Sequence, residues 1–278
     1  MIVDFHTHAF PDALAAKAIA HLLENGRQHA ESFGKRMQNR TDGTNSGLLA
    51  SAGQAGIDCC LVLPIATSAK PSSHLNEAAA QTDRTPGLRS FGSVHPLNPD
   101  WEAELLRVRQ AGLRGIKLHP EYQGCYVDEE PTVRLVRAAA ELGLYVLFHA
   151  GRDVGMPEPV HGTVRRFCRL RRAIPDAPIV LAHMGGFYVW EEVLAAVDDL
   201  HAWMDTSFSV FQYPEKAELF ARIIEKNTPA RILFGTDCPW EDQKQSLRFQ
   251  QTFLKEYGFS EAERTAILGG NAAAILGM

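Results

Sequence analysis

No apolar run in this chain approaches the ~20 residues that a membrane-spanning helix needs, so it offers no candidate for a helical span. Cysteine is scarce. The five present are odd in number and follow no ligand or disulfide spacing, which reads as reduced thiols of a cytosolic protein. Basic excess is lacking too. The 28 Lys and Arg face 33 Asp and Glu, for a formal net charge of −5, which argues against a general binder of nucleic acid or of anionic membranes. Low-complexity tracts and linkers are missing, so residues 1–278 are expected to form a single domain. No Gly-rich phosphate turn follows the first strand-like stretch. His6-Thr7-His8 stands there instead, which disfavours a doubly wound dinucleotide-binding sheet.

What is present is ordinary globular material, 45% hydrophobic and 22% charged, on a chain long enough to bury a substantial core. Met1 to His8 is already strand-like. That leaves no room for a signal peptide, and cytoplasmic residence is the expectation.

Eight short apolar runs recur along the chain: Ile2–His8, Ile57–Leu63, Leu88–Val94, Gly115–His119, Leu144–His149, Ile179–His183, Ala202–Ser207 and Arg231–Asp237. Helix-like segments lie between them. Asn98-Pro99-Asp100 opens one and Gly112 closes it; Glu130-Pro131 and Gly143 bound another; Pro214-Glu215 and Asn227-Thr228-Pro229 bound a third. Ser260 and Glu263 have the spacing of a capping box. Eight strand signals alternating with helices predict an α/β fold, a (β/α)8 TIM barrel. The polar segment Asn25–Ser46 is expected to be part of a long first βα loop over the active-site mouth.

Six of the eleven histidines (His6, His8, His95, His119, His149 and His183) fall at the C-terminal ends of predicted strands. In a parallel barrel those ends share one face, the face that carries active sites. His6 and His8, two apart on a strand, point the same way with Cα atoms roughly 6.6 Å apart, so their imidazoles can converge on one ion. Asp4 has the same parity and is expected one layer deeper, where it could orient a ligand. Tyr145–His149 and Ile179–His183 are apolar runs that end in histidine before small residues. Asp237 ends the eighth run, where a buried carboxylate needs a cation or donors. It is read as a metal ligand that also takes the proton of a metal-bound water. Three neutral histidines and a carboxylate suit one divalent ion, zinc first, with iron, manganese and cobalt compatible.

Lys117 and His119 share parity on the fourth run and face inward. A substrate-binding or electrostatic role ranks first for them. A Lys117 carbamate bridging two metals ranks second. Arg152, three residues after His149, is a candidate clamp for a substrate carboxylate. His95 and Trp240 are weaker lining candidates, and Cys238 reads as packing.

Together Asp4-Phe5-His6-Thr7-His8, Gly115–Pro120, Phe148–Gly151, Ala182–Gly186, Gly235-Thr236-Asp237 and Gly270–Ala273 resemble the amidohydrolase superfamily. Within it they are similar to the amidohydrolase-related group that includes aminocarboxymuconate-semialdehyde decarboxylase-like proteins. The resemblance spans nearly the whole chain. It implies a distorted barrel and a mononuclear metal on His6, His8, His149 and Asp237. His183 would then serve proton transfer or substrate polarisation beside the metal. It leaves two chemistries in view. The first is hydrolysis of a small-molecule amide, lactone or ester by a metal-activated water, with Asp237 and His183 catalytic. The second is non-oxidative decarboxylation, with Lys117, His119 or Arg152 holding the departing carboxylate. A barrel that binds metal without turnover is the third and weakest reading. The partner expected is a small-molecule substrate, with no nucleic acid and no membrane, and a homo-oligomer is compatible with the sequence.

Overall fold

The computed structural model describes residues 1–29, 38–70, 72–156 and 158–278. Each apolar run supplies one parallel strand: β1 (Val3–Thr7), β2 (Cys59–Val62), β3 (Leu88–Ser90), β4 (Gly115–Leu118), β5 (Tyr145–Phe148), β6 (Ile179–Leu181), β7 (Trp203–Asp205) and β8 (Ile232–Leu233). They pair in the orders β1-β2-β3 and β4-β5-β6-β7-β8. Two seams close the ring. Gly92 bridges Ile116 in parallel, with Gly92 N donating to Gly115 O at 2.9 Å and Lys117 N to Gly92 O at 2.8 Å. Thr7 bridges Cys238, and Phe5 N donates to Phe234 O at 2.8 Å. The expected eight-stranded barrel is therefore what forms.

The helix signals act as physical chemistry requires. Helix Trp101–Gln110 stops before Gly112, whose φ of +87° a side chain would resist. Helix Glu130–Glu141 carries Pro131 in its first turn, where no backbone donor is lost. Pro214 opens a short 3-10 turn that leads into helix Ala217–Asn227. Ser260 and Glu263 form the reciprocal capping box. The first loop differs from expectation. Helix Asp12–His29 occupies much of it, so the polar stretch does not begin a loop at Asn25. Residues 30–37 of that stretch lie outside the described residues.

Strand alternation divides the core in two. Val146, Phe148, Ile179 and Leu181 pack outward under the helices. Phe5, Leu61, Phe91, Leu147, Val180 and Leu233 fill the barrel, together with Ala272, Ile275 and Leu276 of the C-terminal helix Asn271–Leu276. With the barrel packed below, the strand C-termini are left to build a site.

Candidate metal centre

β1 departs from regular alternation at the point where chemistry begins. Asp4 pairs with Cys60 and Thr7 with Val62, a step of three residues against two. This is a bulge, a device that re-aims side chains. Phe5 packs inside the barrel against Phe91, yet the next residue, His6, also faces the site. The parity argument that placed Asp4 beneath His6 is corrected here. The Asp4 carboxylate turns away and accepts from Thr236 N at 2.9 Å, Thr236 Oγ1 at 2.6 Å and Gln243 Nε2 at 2.8 Å. It locks the β1–β8 seam rather than a ligand ring, and burial pushes its pKa up to about 6.

His183 and Asp237 reach the site by a different route. Both have positive φ, +59° and +68°, in the left-handed region that residues other than glycine rarely adopt and that clusters at functional sites. His183 N is held by Asp205 Oδ1 at 3.1 Å, and Asp237 N by His6 O at 2.7 Å.

Hydrogen-bond partners fix the tautomers. His6 Nδ1 lies 2.8 Å from Asp205 Oδ2, His8 Nδ1 2.9 Å from Leu63 O, His149 Nε2 2.8 Å from Arg152 O, and His183 Nδ1 3.0 Å from Ser207 O. Carbonyls and carboxylates only accept, so each of these nitrogens carries the hydrogen. In the neutral rings the opposite nitrogens are lone pairs. Those lone pairs converge: His149 Nδ1 faces His183 Nε2 at 3.0 Å, and His8 Nε2 and His6 Nε2 face Asp237 Oδ1 at 3.1 and 3.7 Å. Acceptors turned on acceptors repel unless a cation stands among them, and this donor set is one that divalent metals take. Burial keeps the His6, His149 and His183 rings neutral. It is the leading cause of the low pKa of His6 and His183 and brings His149 down to about 3. Burial also pushes the Asp237 carboxyl up.

The ligand atoms of His6, His8 and Asp237 lie within 4.8 Å of one another. His149 is not in that trio. It contacts His183, whose ring centroid is 4.8 Å from that of His149 and 5.2 Å from that of His6. His149 also belongs to a second trio with His119 and Asp153. That second group has the wrong protons for a metal. His119 Nδ1 accepts from Tyr122 N at 3.4 Å, which leaves Nε2–H to face Asp153 Oδ2 at 3.5 Å. His149 Nε2–H approaches the same oxygen at 3.8 Å. Asp153 is thus a carboxylate that orients two imidazoles stacked 4.2 Å apart.

Lys117 is buried, with Nζ 3.3 Å from His6 Nε2. Burial lowers its pKa to about 8 against the opposing pull of Asp205, Asp237 and Asp153. Lys117, His119, His149, His183, Asp237 and Trp240 all line one cavity of about 800 Å³. Arg152 does not. Its side chain is half-exposed and faces Glu158 at 3.7 Å, and its contribution to the site is the backbone carbonyl that holds His149. It is thus dropped as a substrate clamp. His95 is buried outside the cavity lining, its Nδ1 accepting from Leu97 N at 3.1 Å.

The sequence reading missed Asp205, Ser207 and Asp153. Asp205 was legible, since it ends the seventh strand as Asp237 ends the eighth run. Ser207 donates a short hydrogen bond to Asp205 and was visible only once its neighbours were known.

The Amidohydrolase family profile matches residues 3–278. No curated protein matches the chain. Among solved structures, 5-carboxyvanillate decarboxylase LigW from Sphingomonas paucimobilis is 19% identical, with 100% of this chain and 99% of that chain covered and a TM-score of 0.71. A 5-carboxyvanillate decarboxylase from Novosphingobium aromaticivorans, complexed with manganese and 4-hydroxy-3-methoxy-5-nitrobenzoic acid, is 15% identical over 100% and 96%, with a TM-score of 0.72. A probable 2-pyrone-4,6-dicarboxylic acid hydrolase from Acinetobacter baumannii is 14% identical over 100% and 99%, with a TM-score of 0.65. At these identities the likeness is one of fold.

Proposed function

The chain belongs to the amidohydrolase family, and from that premise we propose that it is a metal-dependent, non-oxidative decarboxylase of a small carboxylic acid. His6, His8, His149 and Asp237 would hold one divalent ion; zinc and manganese both suit the donors. When bound, the ion supplies Lewis-acid polarisation of a substrate oxygen. Lys117 pairs its ammonium with the substrate carboxylate. His183 Nε2, fixed by the hydrogen bond from Nδ1 to Ser207 O, positions the adjoining polar group. As the carbon–carbon bond breaks, its electron pair stays on the substrate carbon and carbon dioxide leaves. That carbon takes a proton delivered through Asp237. Solvent restores the proton.

The single observation that carries this reading is the buried Lys117 ammonium set against His6 Nε2 at the floor of a largely apolar cavity. It offers one fixed cation for a carboxylate in a place where water competes poorly. The two decarboxylases similar in fold support it. Residues alone ranked hydrolysis of a lactone, amide or ester first, and the fold likeness to the 2-pyrone-4,6-dicarboxylic acid hydrolase keeps that second. The test is carbon dioxide release from a panel of aromatic and unsaturated carboxylic acids, run beside lactones and amides on manganese- and zinc-loaded protein. Decarboxylation of at least one acid is expected. Turnover of lactones or amides with no carbon dioxide from any acid would overturn the reading.

A further inference from the structure

The cavity has two chemically different ends. Its floor holds His6, His8, His119, His149 and His183, with Lys117 and two carboxylates, Asp153 and Asp237. Its outer walls come from helix Asp12–His29 and helix Ser73–Asp83. The first helix carries two apolar stripes. Ala15 and Ile19, four apart, are buried in the protein. Leu14, Ala18 and Leu22, again at four-residue spacing, line the cavity. Leu75, Ala78 and Ala79 line it from the second helix, which also brings His74, Gln81 and Thr82 to the lining. Leu14 remains 56% exposed among the described residues, so apolar surface faces the cavity uncovered, a common mark of a ligand site. At about 800 Å³ the cavity is near the upper end of small-molecule sites and well beyond the needs of one substituted ring. Among the described lining residues, Lys117 is the sole lysine or arginine.

We propose that the substrate is an amphipathic monocarboxylate. Its carboxylate sits at Lys117, and an alkyl or aryl body, favoured by burial of its apolar surface, lies against Leu14, Ala18, Leu22, Leu75 and Ala78. The orientation follows from where the fixed charge lies. This rests on the reading of the floor as a carboxylate site.

The test is binding of 4-methyl-, 4-butyl- and 4-hexylbenzoate to the manganese-loaded protein by titration calorimetry. Affinity is expected to rise by at least about tenfold from methyl to butyl and again to hexyl, as burial of roughly 0.8 kcal/mol per methylene allows. Ala18→Trp, which fills the wall, and Leu14→Ser, an exposed change that folding tolerates, should both flatten that rise. A flat series in the unaltered protein, no binding by any member, or an undiminished rise in both variants would overturn the proposal. Binding needs no turnover. A steep series without carbon dioxide release from any acid would sink decarboxylation alone. A flat series beside carbon dioxide release from short acids would sink this inference alone.

Discussion

Asp205 shows how one residue can set the chemistry of another. Its Oδ2 holds the His6 Nδ1 hydrogen, and its Oδ1 takes His183 N and Ser207 N, each at 3.1 Å. Asp205→Asn keeps the shape but can present an amide hydrogen to His6 and spoil its tautomer. A ten- to hundredfold loss of metal affinity is expected, read by competition with a chromophoric chelator; unchanged affinity would mean the carboxylate orients nothing. Asp237→Asn removes the proton carrier, and turnover of any identified substrate should fall by at least about a hundredfold. A near-normal rate would remove Asp237 from the mechanism. His149 gives a pH test. Burial brings its pKa in the folded protein down to about 3, below the 6.5 of an ordinary histidine. The neutral ring therefore contributes stability that is present above pH 6.5 and is lost as pH falls towards 3. In metal-free protein the stability gap between the unaltered chain and His149→Gln should shrink by about 2 kcal/mol from pH 7.5 to pH 5, measured by urea unfolding. A constant or widening gap would contradict the assignment.

At the scale of elements, the strand ends are where sequence patterns stop being sufficient. The inward parity of Lys117, His119 and His149 could be read from β4 and β5 because those strands are regular. The bulge in β1 could not, since an extra residue in one strand is defined only against its partner, and it reversed the reading of Asp4. His183 and Asp237 were legible as residues at run ends but not in their left-handed turns. The tautomer-fixing groups Leu63 O, Arg152 O and Ser207 O are backbone carbonyls, which carry no residue identity to read. Gly151, with φ of +82°, lies three residues past the end of β5. A Cβ there would meet Phe187 N at 2.4 Å, and backbone cannot step aside cheaply. Gly151→Ala should cost roughly 2–4 kcal/mol, seen as a melting temperature lower by about 5 °C or more. A shift under about 1 °C would show that the turn is not under that constraint.

For the molecule as a whole, eight runs predicted eight strands because a parallel barrel buries both faces of each strand and so writes itself as uninterrupted apolar sequence. Closure brings residues 6, 8, 117, 149, 183 and 237 to one rim, and that gathering was legible in the order of strand ends. Which imidazoles share an ion was less so, since His149 stands between two groups. No helix of the described residues is long and apolar enough to cross a membrane. A cation gathered at the rim ties together strands far apart in sequence. Saturating metal should therefore raise the melting temperature of chelator-treated protein by about 5–10 °C. The most direct measurement is an anomalous-difference map from crystals loaded with manganese. The account predicts one peak within coordination distance of His6 Nε2, His8 Nε2, His149 Nδ1 and an Asp237 carboxylate oxygen. A peak seated between His119 and Asp153, or none at the rim, would contradict it.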